Sequence, residues 1–185
     1  MIHYSSRPIC ASILLLVLAG FLTACGDKQE DSQQSLLTSL HITQQDECHL
    51  CGMLIKGFPG PKGAIQVDSA KALKKFCSSN DLLAYLLQPE NAQLKKQAYV
   101  HDMSKADWHT PDDEAFVNVE NAWYVIEHDL NGAMGPTIAS FSKQAAAESF
   151  VQNHQGKIIR FEDINLELIN QLSQSMHTTE SGHQH

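Results

Sequence analysis

The sequence predicts an α+β domain built from two similar β-β-α-β halves plus a C-terminal helix, placed after an N-terminal lipoprotein signal and a flexible tether. Three observations point there. Ala64-Ile65-Gln66-Val67-Asp68 alternates apolar and polar residues, as a half-buried strand does. Ser78-Ser79-Asn80-Asp81 then offers helix-start chemistry ahead of a leucine-rich stretch. The same order of strand and helix signals recurs from Ala122 onward, so the second half reads as a repeat of the first.

The first element is a leader. The apolar run Ile13 to Leu22 is too short for a membrane span and follows Arg7, the pattern of a signal peptide. It ends in Leu22-Thr23-Ala24-Cys25, small residues leading directly into a cysteine, which is a lipobox. Cleavage before Cys25 and acylation of its thiol would tie the chain to a membrane. This divides the chain into a signal at 1–24, a lipid-bearing Cys25 with a polar tether at 25–40, a folded domain at 41–172 and a polar, His-containing tail expected to be disordered at 173–185.

Within the domain, the strand at Ala64–Asp68 leads to a helix whose Leu82, Leu83, Leu86 and Leu87 share an apolar face, with Pro89 ending it. Gln97 to His101 has strand composition. In the second half, Ala122 to Glu127 and Pro136 to Phe141 are strand candidates, and Ser142 opens a helix with Ala146, Ala147, Phe150 and Val151 on one face. Gly156 stops that helix, Lys157 to Phe161 forms a strand, and Ile164, Leu168, Ile169 and Leu172 mark the last amphipathic helix. Phe76 and Phe141 each stand just ahead of their helix.

The charge balance excludes one class of partner. Removing Arg7 with the signal leaves 12 of the 13 basic residues against 21 acidic ones, a net charge of −9 with histidines neutral. Such a chain is not built to bind nucleic acid. Of five cysteines, Cys10 leaves with the signal and Cys25 carries lipid, so Cys48, Cys51 and Cys77 remain. An odd number of thiols is not a disulfide framework.

Cys48-His49-Leu50-Cys51-Gly52-Met53 is the chemistry-bearing segment. A two-residue spacing lets both sulfurs face one ion, and a thioether close behind a thiolate makes a donor set that selects Cu(I) over harder cations. The glycines and prolines from Gly52 to Gly63 argue against a helix after the second cysteine, where a redox dithiol would want one. A second Cys or His pair, as a structural zinc site requires, is not evident. Met134, in Asn131-Gly132-Ala133-Met134-Gly135-Pro136, reads equally as an uncovered sulfur among small neighbours or as a core filler. His49 could add a nitrogen donor or be merely solvated, whereas Cys77 reads as a buried, inert thiol. His101, Asp102, Trp108 and His109 either border the site or shape an interface, and His177, His183 and His185 could take up copper weakly. No arrangement of catalytic residues is recognisable, so the chain reads as no enzyme.

Glu47 to Met53, Phe58-Pro59-Gly60-Pro61-Lys62-Gly63, Tyr99-Val100-His101-Asp102 and Gly132-Ala133-Met134-Gly135, in this order, resemble the NosL family, the accessory copper-binding lipoproteins of nitrous oxide reductase. The resemblance spans nearly the whole chain between tether and tail. It implies a Cu(I) site formed by Cys51, Met53 and Met134, with Cys48 and His49 as secondary candidates and Cys48 an alternate ligand or a disulfide partner of Cys51. It further implies a periplasm-facing metallochaperone anchored through Cys25, expected on the outer membrane, that supplies copper to nitrous oxide reductase in denitrification. A thiol-disulfide oxidoreductase using Cys48 and Cys51, or a zinc-stabilised interaction module, are the competing readings.

Overall fold

In the computed structural model, which describes residues 40–67, 72–111, 113 and 115–180, two antiparallel sheets are built on one plan. Strands β1 (Gly63–Val67), β2 (Ala72–Phe76), β3 (Ala98–His101) and β4 (Phe116–Asn118) form the first sheet in the order β2-β1-β3-β4. Strands β5 (Trp123–Ile126), β8 (Ala139–Phe141) and β9 (Lys157–Arg160) form the second in the order β8-β5-β9. The first strand of each half is central, the second and third flank it, and a helix joins the second strand to the third. Registers agree as well: Gly63 pairs with Phe76 and Val100, and Trp123 with Phe141 and Arg160. Phe76 and Phe141 are thus equivalent positions, and the expected two-half organisation is the observed one. The signal, Cys25, most of the tether and residues 181–185 lie outside the described residues.

Helix α1 (Ser79–Leu86) starts where its sequence directs, with the Ser78 hydroxyl accepting from the Asp81 N–H at 3.0 Å. Its Leu82, Leu83 and Leu86 are fully buried against the first sheet. Gly63 permits that packing, since a Cβ there would lie 2.5 Å from Leu82. Helix α2 (Gln144–His154) begins after Lys143, and Gln155 and Gly156, both at positive φ, turn the chain out of it. Helix α3 (Leu166–Glu180) packs beside α1 and runs past residue 172, where the sequence suggested that the polar tail begins. Among the described residues no helix is long and apolar enough to cross a membrane.

The second strand of the first half, expected without a residue range, is located, and two further differences from expectation have physical causes. Strand β2 carries Lys74 and Lys75 in its middle, which hides its strand character, yet it pairs with β1 along its whole length. The polar connection after α1 winds as 3₁₀ turns from Pro89 to Gln97. The strand expected at Pro136–Phe141 is split: Gly135–Pro136 (β7) folds back on Asn131–Gly132 (β6) as a tight hairpin, and Thr137-Ile138 crosses to α1 before β8 begins.

One core joins the halves, with Ile65, Phe76 and Val100 of the first sheet in the same cluster as Tyr124, Ile126 and Ile159 of the second. Alternation along β5 sends Val125 to the other face, where Phe141 and Ala147 form a smaller cluster with Phe150 beneath α2. The joint is also polar. Asp102, 1 % exposed, accepts from the Ser142 N–H at 3.1 Å and from the Ser104 hydroxyl at 2.7 Å. Burial alone would push its pKa up, and these donors outweigh it and hold it below the usual range. Asp102→Ala strips a buried set of donors of its acceptor and is expected to cost about 2–4 kcal/mol, read as a lower denaturation midpoint with a single transition retained. A loss near zero would mean that Asp102 takes no part in holding the halves together.

Candidate metal centre

Cys48 to Met53 forms a closed loop. The Cys48 N–H donates to the Met53 carbonyl at 2.8 Å, Glu47 bridges Leu54, and the Gly52 N–H returns to the Cys48 carbonyl at 2.8 Å. Gly52 sits at φ 74°, the left-handed region that glycine enters without strain. No helix follows, as expected from the glycines and prolines. The loop is fastened to β2 by the His49 N–H, which donates to the Lys75 carbonyl at 2.8 Å, and by Lys75 Nζ, which lies 2.6 Å from Asp46.

That attachment brings the loop to the end of β2, where Cys77 precedes the helix cap. Cys48 Sγ and Cys77 Sγ lie 3.3 and 3.2 Å from Asp81 Oδ2, and Cys51 Sγ lies 3.5 Å from Cys77 Sγ. One ligand atom from each of Cys48, Cys51, Cys77 and Asp81 falls within 4.8 Å of the others. Cys48 and Cys77 are buried while Cys51 is exposed, so the cluster opens to solvent on the side of Cys51.

Of the residues anticipated from sequence, Cys51 and Cys48 are in this cluster. Met53 is half-buried in the same loop, its carbonyl closing it. His49 is exposed and its ring stands nearly perpendicular to those of Phe76 and Tyr85, with centroids 6.0 and 5.4 Å away. Met134 is at the tip of the β6–β7 hairpin, 46 % exposed. The hairpin reaches α1: Asn80 Nδ2 donates to the Pro136 carbonyl at 3.1 Å, and Asn80 Oδ1 accepts from the Ile138 N–H at 2.9 Å. It therefore docks one residue from Asp81. His101 and Asp102 belong to the joint between the halves, as the Ser140 hydroxyl bond to the His101 carbonyl also shows. Cys77 is buried as expected, but it touches Cys51 and shares Asp81 with Cys48, so it is not an isolated thiol. Asp81 read only as part of a helix start. The available signal was the odd third cysteine followed four residues on by a carboxylate at a helix N-terminus.

The four acids cannot all ionise at this separation, so they titrate as a set. The hydrogen bond from the Cys77 thiol, aided by backbone N–H groups and opposed by burial, pushes Cys48 down to about 4. Donating to Cys48 raises Cys77, as do burial and the Asp81 carboxylate. Cys51, exposed at the residue level, is raised chiefly by partial desolvation of its sulfur against the cluster, and burial pushes Asp81 up to about 6. Three thiols and a carboxylate this close resist ionising together, so a cation bound among them would displace protons. Such a set, three sulfurs and one oxygen with one side open, is suited to a soft or borderline metal ion.

Fold and centre together define a metal-binding domain in which a thiol cluster lies at the edge of a two-half α+β scaffold. The sequence pattern of the NosL family matches residues 39–169, and this chain belongs to that family. It is 42 % identical over 170 residues to the copper-binding lipoprotein NosL of Stutzerimonas stutzeri, covering 91 % of this chain and 87 % of that one. Identity to the copper-binding lipoprotein NosL of Achromobacter cycloclastes is 30 % over 155 residues, covering 82 % and 78 %. The fold is similar to the crystal structure of the copper chaperone NosL from Shewanella denitrificans, with TM-score 0.64, 46 % identity, and coverage of 68 % of this chain and 94 % of that one.

The titration of the cluster is directly measurable. Thiolate ultraviolet absorbance of the reduced, metal-free protein is expected to show one ionised thiol at neutral pH, lost in Cys48→Ser. Three thiols all ionising near the ordinary value of 9 would contradict the arrangement.

Proposed function

We propose that this chain is a metallochaperone that binds Cu(I) and supplies it for assembly of nitrous oxide reductase, from a periplasm-facing position anchored by lipid on Cys25. The observation that carries the reading is the cluster of three thiols with one exposed sulfur. Thiolate sulfur favours Cu(I) over the harder ions of the periplasm. The names of the relatives, copper-binding lipoproteins and a copper chaperone, support the same metal. Nitrous oxide reductase as acceptor rests on the family resemblance of the four motifs.

In this reading Cys51 holds the ion together with the thioethers of Met53 and Met134, and Cys48 and Cys77 are the thiols at its back. Transfer is ligand exchange, not turnover of a substrate. An acceptor sulfur approaches from the open side, bonds to copper, and displaces Cys51 first, because Cys51 is the exposed one of the three thiols. The proton that Cys51 then recovers comes from solvent. Copper passes between proteins without being released as a free ion.

The Cys₃Asp set also fits tetrahedral zinc, which the exclusion of a second ligand pair in the sequence did not foresee. Anaerobic competition of the reduced protein with a Cu(I) chelator in the presence of Zn²⁺, followed by X-ray absorption at the metal edge, separates the two. The copper reading expects sulfur-dominated, low-coordinate Cu(I) that zinc does not displace. Zinc retained against Cu(I) in a four-coordinate site would overturn it. Cys51→Ser is expected to weaken Cu(I) binding beyond the 10–100-fold typical of groups that only support a ligand. Cys48→Ser loses less, since Cys77 can replace its sulfur, and equal losses would point to a symmetric dithiolate.

A further inference from the structure

Lys62 is 3 % exposed, and its ammonium donates to the carbonyls of Phe58, Pro59 and Gly60 at 2.7, 2.8 and 3.0 Å. Three protons meet three acceptors, none of them a carboxylate. Burying a cation this way is costly, and desolvation lowers its pKa to about 8. What the cation does is fold three successive peptide groups around itself. Their carbonyls turn inward, and the Gly60 N–H turns away to the Trp108 carbonyl at 2.7 Å.

The outer side of that fold is the seat of the second half's hairpin. Gly60 lies at φ 77°, and a Cβ on it would be 3.0 Å from the Gly132 Cα. Trp108 Nε1 donates to the Asn131 carbonyl at 2.9 Å. Asn131 and Gly132 make up β6, and Gly132 pairs with Gly135 across the two-residue turn that carries Met134. The hairpin is gripped from the other end by Asn80, beside Asp81. Lys62 is itself fastened at both backbone groups, its N–H to His101 Nδ1 at 3.2 Å and its carbonyl to the His101 N–H at 3.0 Å.

We propose that Lys62 is a positioning residue for the Met134 thioether: by folding the Phe58–Gly60 carbonyls around its ammonium it sets Gly60 against Gly132, and so fixes where the β6–β7 hairpin presents its sulfur. The inference rests on the reading that Met134 is a copper ligand. It adds that the Gly/Pro segment, which offers no ligand itself, decides whether that sulfur is in place.

The test uses the reduced full chain carrying Lys62→Gln or Gly60→Ala, each with Met134 and with Met134→Leu. Gly60→Ala disturbs the same seat without removing the buried charge, and it carries the test if Lys62→Gln does not fold. Each variant is expected to shift the Met134 methyl resonance of the metal-free protein and to weaken Cu(I) binding about tenfold. Neither should weaken it further in the Met134→Leu background, because the sulfur being positioned is already gone. An unmoved methyl resonance in both variants, or equal losses in the two backgrounds, would overturn the positioning role. A Met134→Leu single variant with unchanged affinity would instead overturn the ligand reading, and with it any part for Lys62 in copper binding.

Discussion

The first turn of α1 is where the rest of the structure converges. Ser78 caps the helix through the Asp81 N–H. The Ser79 N–H holds the Pro61 carbonyl, and its hydroxyl donates to the Ile138 carbonyl. Asn80 takes the hairpin, and Asp81 faces Cys48 and Cys77. The Ser79 backbone N–H and the side chains of Ser79, Asn80 and Asp81 thus meet the Gly/Pro segment, the second half and the cysteine loop, segments separated by up to about ninety residues in the chain. A helix N-terminus is suited to this role because its unpaired N–H groups and short polar side chains need partners from elsewhere. The consequence is that the candidate ligands, which come from distant segments, share one rigid reference.

Electrostatics then decide the character of the site. Three thiols and a carboxylate within a few ångströms are too many acids to ionise together, so the cluster keeps protons on Cys77 and Cys51 that an incoming cation can expel. Binding is therefore coupled to proton release. Asp81 adds a pH dependence of its own: its raised pKa means that stability from the protonated form is full below the ordinary carboxylate range and is lost as pH rises through about 6. A bound cation removes that penalty by favouring the carboxylate. The exposed position of Cys51 against the buried Cys48 and Cys77 leaves the cluster open to solvent on one side.

Much of this was legible in the sequence because its signals are local. The α1 cap, its leucine face, the end of α2 at Gly156 and the recurrence of the two halves all depend on residues within one turn or one strand. The cysteine loop was legible for the same reason, as two thiols and a methionine lie within six residues. The position of strand β2 was not, because Lys74 and Lys75 break the apolar alternation and only pairing with β1 reveals it. Cys77 and Asp81 escaped as site residues because their neighbourhood is made by the clasp between His49 and Lys75, a contact across the chain that leaves no periodicity. The seat of the hairpin on Gly60 is long-range too, and only the glycines hint at it.

Hydrogen exchange of the reduced protein with and without Cu(I) tests the central claim, that one ion is held by both halves at the start of α1, because it reports each segment separately. The account predicts that copper protects the Cys48–Met53 loop, the first turn of α1 and the β6–β7 hairpin together. Protection confined to the cysteine loop and α1, with exchange of the hairpin unchanged, would contradict it.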